Sequence, residues 1–178
     1  YFMASLEELK NYLSRLVASS KRESFLNISD QISTSVGRWV IGQLSIALIH
    51  ATVVFTFLSI VQAPFVLLLS FIAFLFALVP LVGPVLAFVL ITSFSLLAGF
   101  ETALAVGIFY LIYLQIDAYL ISPRVMKKAV SIPSAAVVIA ALAGGTLMGV
   151  LGALIAIPLA ASALLIIREV WMPKQEKS

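Results

Sequence analysis

Asp117 is the side chain whose surroundings point most directly to chemistry. Tyrosines apart, its only acid–base companions between Trp39 and Pro123 are His50 and Glu101. A carboxylate at the centre of a membrane helix costs roughly 2.5–3.5 kcal/mol and is kept for a pathway or a partner. Tyr110, Tyr113 and Asp117 are spaced three and four apart and share one helix face, with Gln115 on the neighbouring one. Their hydroxyl and carboxylate groups suit a hydroxylated solute or a cation. His50 falls midway along an earlier apolar segment, at the depth where an imidazole relays protons or bonds inside a bundle. Gln43 and Arg38 stand at that segment's start. Two features offer structural roles instead. Arg124 is close enough to pair with Asp117 or to anchor topology, and Glu101 opens its helix, where a carboxylate complements the dipole.

Backbone punctuation marks a second set of positions. Pro80-Leu81-Val82-Gly83-Pro84 ends one helix and starts another, because each proline lacks an amide donor and clashes with the preceding turn. Broken helices of this kind expose backbone groups that transporters use to hold substrates or ions. The apolar run Ser134 to Ile167 is too long for one straight crossing, and a break is expected at Ala143-Gly144-Gly145, with a kink at Pro158. Small residues recur there at helical spacing, Gly145, Gly149 and Ala153 on one ridge and Gly152, Ala156 and Ala160 on another. Such ridges let helices approach closely in lipid.

The elements that position these residues follow from composition. Of 178 residues, 62% are hydrophobic and 11% charged, against roughly 45–50% and about 25% in soluble domains. The solvent over most of the chain is therefore lipid. Without cysteine there is no disulfide framework or thiolate site, and one histidine cannot make a two-histidine metal site. No metal or other cofactor is expected. The net charge of +3 comes from three short basic patches, which suit anionic lipid headgroups rather than nucleic acid. No nucleophile elbow, HExxH, P-loop or GxGxxG is found, so no enzyme is expected. Nor is there a carbonyl-ring signature or acidic cluster for a channel.

An all-helical, polytopic transmembrane bundle follows, with broken or re-entrant hairpins. Residues 1–38 carry apolar positions at intervals of three and four, with capping boxes at Ser5 and Ser20, and read as a cytoplasmic linker of two amphipathic helices broken near Ser19. The membrane domain covers 39–172, with spans or hairpin limbs near 39–61, 64–79, 85–99, 101–121, 134–143 and 145–167, and a cytoplasmic tail at 173–178. The positive-inside rule puts the three basic regions in the cytoplasm. The chain begins with Tyr1 rather than Met and is expected to follow further, upstream spans.

These residues resemble the autoinducer-2 exporter family of bacterial membrane transporters. The likeness lies in Gly42-Gln43, Val79-Pro80-Leu81-Val82-Gly83-Pro84, Gln115-Ile116-Asp117 leading into Ile121-Ser122-Pro123-Arg124-Val125-Met126, Ile132-Pro133, Gly144-Gly145 through Gly152, and Ile157-Pro158-Leu159-Ala160. The resemblance covers residues 36 to 172 and corresponds to the family's C-terminal half. It implies a homo-oligomer, a pentamer, in the bacterial cytoplasmic membrane that moves a small solute without ATP. Some such proteins resemble exporters of autoinducer-2, while others are associated with sodium or lithium exchange for protons. The acidic position that is often Glu in the family is Asp117 here. The expected function is secondary export of a small solute. The alternatives are a monovalent cation/proton antiporter and a non-transporting membrane assembly protein.

Overall fold

The computed structural model describes residues 22–127 and 134–167. Among them every regular element is helical: α1 (Arg22–Ile60), α2 (Val66–Ala77), α3 (Val82–Ser95), α4 (Phe100–Ile116), α5 (Ser122–Met126) and α6 (Ser134–Ile166). A 3₁₀ turn, Leu96–Ala98, precedes α4, and a π turn, Asp117–Ile121, joins α4 to α5. Two helical stretches, Arg22–Ile60 and Phe100–Met126, are long and apolar enough to cross a membrane. The outer surface carries Leu, Ile, Val and Phe, while Gln43, His50, Ser70, Ser95 and Asp117 are buried. That inversion of the soluble pattern suits a fold surrounded by hydrocarbon. The exposed hydroxyls of Thr52, Thr56 and Ser59 each donate to the carbonyl four residues earlier, at 2.7–2.8 Å. These three hydroxyls are thereby satisfied without a partner from lipid.

Several boundaries differ from those read in the sequence. α1 passes through residue 38 without a break, because Gly37, a single glycine, costs only about 1 kcal/mol and cannot end a helix. The break near Ser19, the capping-box serines and the tail at 173–178 lie outside the described residues. α3 begins at Val82, not 85, since Gly83 and Pro84 sit in its first turn, where amides need no helical partner. The segment from Glu101 does not stop at Pro123, which is accommodated at the start of α5. α6 breaks at Met148 (φ −135°) and Gly149 (φ 63°), later than Ala143-Gly144-Gly145. Gly144 and Gly152 then lie backbone to backbone: a Cβ on either would strike the other's carbonyl. The two limbs, 134–147 and 150–166, fold back on each other, so the turn interrupts the Gly145, Gly149, Ala153 ridge. Pro158 lies in the second limb, whose dihedrals remain helical around it.

α1 ends in a Schellman arrangement. The Ala63 amide donates to Leu58 O at 3.0 Å and that of Gln62 to Ser59 O at 3.4 Å, with Gln62 left-handed at φ 52°. Pro64 follows and prevents continuation. α2 then returns along α1, and α3 along α2 and α4. The core between them is Val54, Leu58, Ala63, Leu69, Ala73, Ala87, Ile91, Val106 and Tyr110. The α2–α3 tip holds Leu81 at φ 68°, ψ −55°, a γ-turn closed by the Val82 amide on Pro80 O at 2.8 Å. Gly83 packs directly on the Phe76 carbonyl, where a methyl group would collide with backbone. Gly83→Ala is expected to lower stability by about 1–3 kcal/mol, the usual range for overpacking. Gly37→Ala, with nothing within 4 Å of the new methyl, should be neutral or stabilising. Thermal unfolding of the two variants in detergent checks the pair.

Candidate functional site

The buried face of α4 carries Ala103, Val106 and Tyr110, then Tyr113 and Asp117, at alternating intervals of three and four. The facing stripe of α1 carries Trp39, Gln43, Ile46, His50, Val54 and Leu58. The helices run antiparallel: Phe57 stacks on Phe109 with ring centroids 3.8 Å apart and planes 4° from parallel. One layer further along, His50 meets Tyr110 and Tyr113. The same register carries Gln43 toward the level of the Asp117 turn. Apolar side chains therefore close the stripe at the Phe57 end and polar ones occupy the other.

His50 is fully buried. Its Nε2 lies 3.4 Å from the Tyr110 hydroxyl, a long hydrogen bond. The Tyr113 ring meets the imidazole edge to face at 5.0 Å and 80°. Phe88 reaches Tyr110 from α3 at 5.8 Å. Among the described residues, His50 Nδ1, the Tyr113 hydroxyl and the Thr92 hydroxyl on α3 have no hydrogen-bond partner.

Asp117 opens the π turn, and Ser122 holds it twice. The Ser122 amide donates to the Asp117 carbonyl, and its hydroxyl donates to Oδ1 at 3.2 Å. Pro123 explains the widened turn, since without an N–H it cannot continue the regular ladder. Arg124 does not pair with Asp117. Its Nη1 donates to Leu120 O at 3.3 Å, because the π turn carries it to the exposed side while the carboxylate stays buried. Gln43 is also buried, and its Nε2 donates to Ala77 O at 2.7 Å, fixing the end of α2 just before the hinge. Gln115 departs from the expected group, because its side chain faces outward.

The hinge lies close in register to the carboxylate. Gly107 of α4 faces Thr92 of α3, whose Cγ2 would lie 3.5 Å from a Cβ there. Counting outward in antiparallel order brings Val82, the start of α3, level with Asp117. Gly83 and Pro84 are buried, whereas Leu81 at the tip is exposed. A shallow apolar hollow lined by Phe65, Val66, Leu67, Leu68 and Phe71 opens at the start of α2, near the opposite end of the stripe. Sequence reasoning missed Ser122 and the framing rings Phe57, Phe88 and Phe109. The available signal was a proline six residues after a carboxylate inside a helical run.

The sequence pattern of AI-2E family transporters matches residues 1–171. The chain belongs to the AI-2E transporter family. This bears out the resemblance drawn from its motifs. Similar proteins include a Mycobacterium tuberculosis protein named as a candidate transport protein, 43% identical over 64% of this chain and 31% of its own length. YueF of Bacillus subtilis, also named as a candidate transport protein, is 26% identical over 81% of the chain and 39% of its own. YrrI of the same organism is 24% identical over 89% and 45%. The chain thus spans less than half the length of these curated relatives. No solved structure matches it.

The antiparallel packing of α1 on α4 is checked by a double-mutant cycle on Phe57→Ala and Phe109→Ala. A coupling of about 0.5–1.5 kcal/mol beyond the separate losses is expected for stacked rings. Additive effects would show that the two rings do not meet.

Proposed function

We propose that this AI-2E family chain forms part of a secondary transporter that exports a small solute across the bacterial cytoplasmic membrane. The observation that carries the reading is the burial of four polar side chains, His50 in contact with Tyr110 and Tyr113 and Asp117 one helical turn beyond Tyr113, inside a fold whose exterior is apolar. Buried polar groups in such a setting cost free energy unless something bonds to them, and two of the atoms involved have no partner among the described residues, which supports a pathway over a scaffold. Asp117 is the coupling carboxylate in this reading, positioned by Ser122, and Gln43 ties the α2–α3 hinge to α1. The solute resembles autoinducer-2 in class, a small, neutral, hydroxylated molecule. The working protein is a multi-pass homo-oligomer, a pentamer, contacting lipid through the exposed faces of its helices. Monovalent cation/proton antiport is the second reading, favoured by the register that brings the hinge backbone level with Asp117.

Proteoliposomes of the full-length parent, loaded with labelled autoinducer-2 under an imposed pH gradient, test the choice. Asp117→Asn should cut coupled export roughly ten- to a hundredfold, the factor for losing a charged hydrogen-bond acceptor worth about 1.5–3 kcal/mol. Unimpaired export would remove Asp117 from the mechanism, and sodium-dependent proton flux alone would favour antiport. The cysteine-free sequence also permits a topology measurement. A cysteine at Lys127 should react with an impermeant thiol reagent from the cytoplasmic side and one at Gln62 from the opposite side.

A further inference from the structure

We propose that His50 Nδ1 and the Tyr113 hydroxyl together bind one hydroxyl group, from water or from a neutral hydroxylated solute. Exposure is 0% for His50 and 4% for Tyr113, and neither atom has a partner among the described residues. An orphaned buried polar atom costs about 1–3 kcal/mol, and few persist in native structures without something bonded to them. The two orphans belong to rings in edge-to-face contact, with centroids 5.0 Å apart, and a single guest is the arrangement that serves both.

The chemistry of the guest follows from the donors and acceptors on offer. Nε2 of the imidazole is engaged with the Tyr110 hydroxyl. In the neutral ring this leaves Nδ1 as a single donor or a single acceptor, according to the tautomer. The Tyr113 hydroxyl can act either way. A hydroxyl both donates and accepts, so one such group satisfies both atoms in either tautomer. A cation is served less completely by these two atoms, since Nδ1 supplies at most one lone pair, and Asp117 and the ring faces, Phe109 6.0 Å from Tyr113 among them, would draw it toward themselves. An anion would in addition lie one helical turn from Asp117. The donor and acceptor on offer therefore match an uncharged hydroxyl best. This station deepens the transporter reading and rests on it only where the hydroxyl belongs to a transported solute.

The test is solid-state NMR on the full-length parent in lipid vesicles, labelled with nitrogen-15 at histidine. The His50 signals are identified by their loss in His50→Gln. Tyr113→Phe, which deletes one oxygen, should shift the Nδ1 resonance, whereas Tyr119→Phe on the exposed surface should not. A shift in plain buffer, joined by a magnetisation contact between Nδ1 and a water proton in the unmodified protein, assigns the hydroxyl to water. A shift that develops only on titration with glycerol assigns it to a solute. An Nδ1 resonance indifferent to Tyr113→Phe under both conditions overturns the proposal. Should that variant fail to fold, the unmodified protein decides through a magnetisation contact between Nδ1 and a water or glycerol hydroxyl proton, whose absence in both media has the same force. The readout is a resonance rather than a flux. Export that depends on Asp117 alongside a silent Nδ1 would retire the station and keep the transporter, and a responsive Nδ1 with no export would do the reverse.

Discussion

Hydrocarbon offers no hydrogen bonds, so every polar atom held inside it must be satisfied by the protein itself. The described part of the chain is organised around that constraint. Serine and threonine hydroxyls on outward faces fold back onto their own helix, as Thr52 and Ser93 do on the carbonyls of Leu48 and Val89. The groups that cannot do so, the imidazole of His50 and the amide of Gln43, are turned inward. Burial of polar groups and exposure of leucines are two sides of one solution. Among the described residues three buried side-chain atoms are left over, on His50, Thr92 and Tyr113, and two of them, on His50 and Tyr113, sit on rings in direct contact.

The same requirement governs how helices end. A chain that turns within an apolar setting must bond its terminal carbonyls, and α1 does so with the left-handed Gln62 and the Ala63 amide. At the α2–α3 tip no glycine occupies the left-handed position. Leu81 adopts a positive φ instead, and Gly83 is used where two backbones meet. Strain at a non-glycine residue costs of order 1–3 kcal/mol and persists where its surroundings fix it. Here Gln43 grips the last turn of α2 from across the interface. The hinge is therefore held from α1 as well as by its own prolines.

Much of this was legible beforehand and some of it was not, for identifiable reasons. The sharing of one face by Tyr110, Tyr113 and Asp117 follows from helical periodicity alone, and the inward turn of His50 from the cost of exposing it to lipid. Both could be read without coordinates. Gln115 was grouped with them by proximity in sequence, yet it stands about 200° around the helix from Asp117 by the 3.6-residue repeat and faces outward. The break in α6 was placed at the densest glycines, but adjacent glycines at 144 and 145 remain helical because Gly144 is needed for contact with Gly152. Chain reversal falls instead at Met148-Gly149. Composition locates small residues, and only packing decides whether each serves a turn or a contact. The π turn at Asp117 depends on how a proline is absorbed by a long helix, which no local pattern specifies.

The uninterrupted length of α1 has a mechanical side. Its 39 residues extend about 58 Å at 1.5 Å each, and a hydrocarbon core takes up only about 30 Å. Roughly half the rod therefore has no lipid to fill. A rod of that shape, pivoting at the membrane surface, would act as a lever. Tilting the inner arm by about 10° swings an outer arm of about 28 Å through some 5 Å, by the same length arithmetic. A rearrangement around His50 would thus be felt, enlarged, at the Arg22 end.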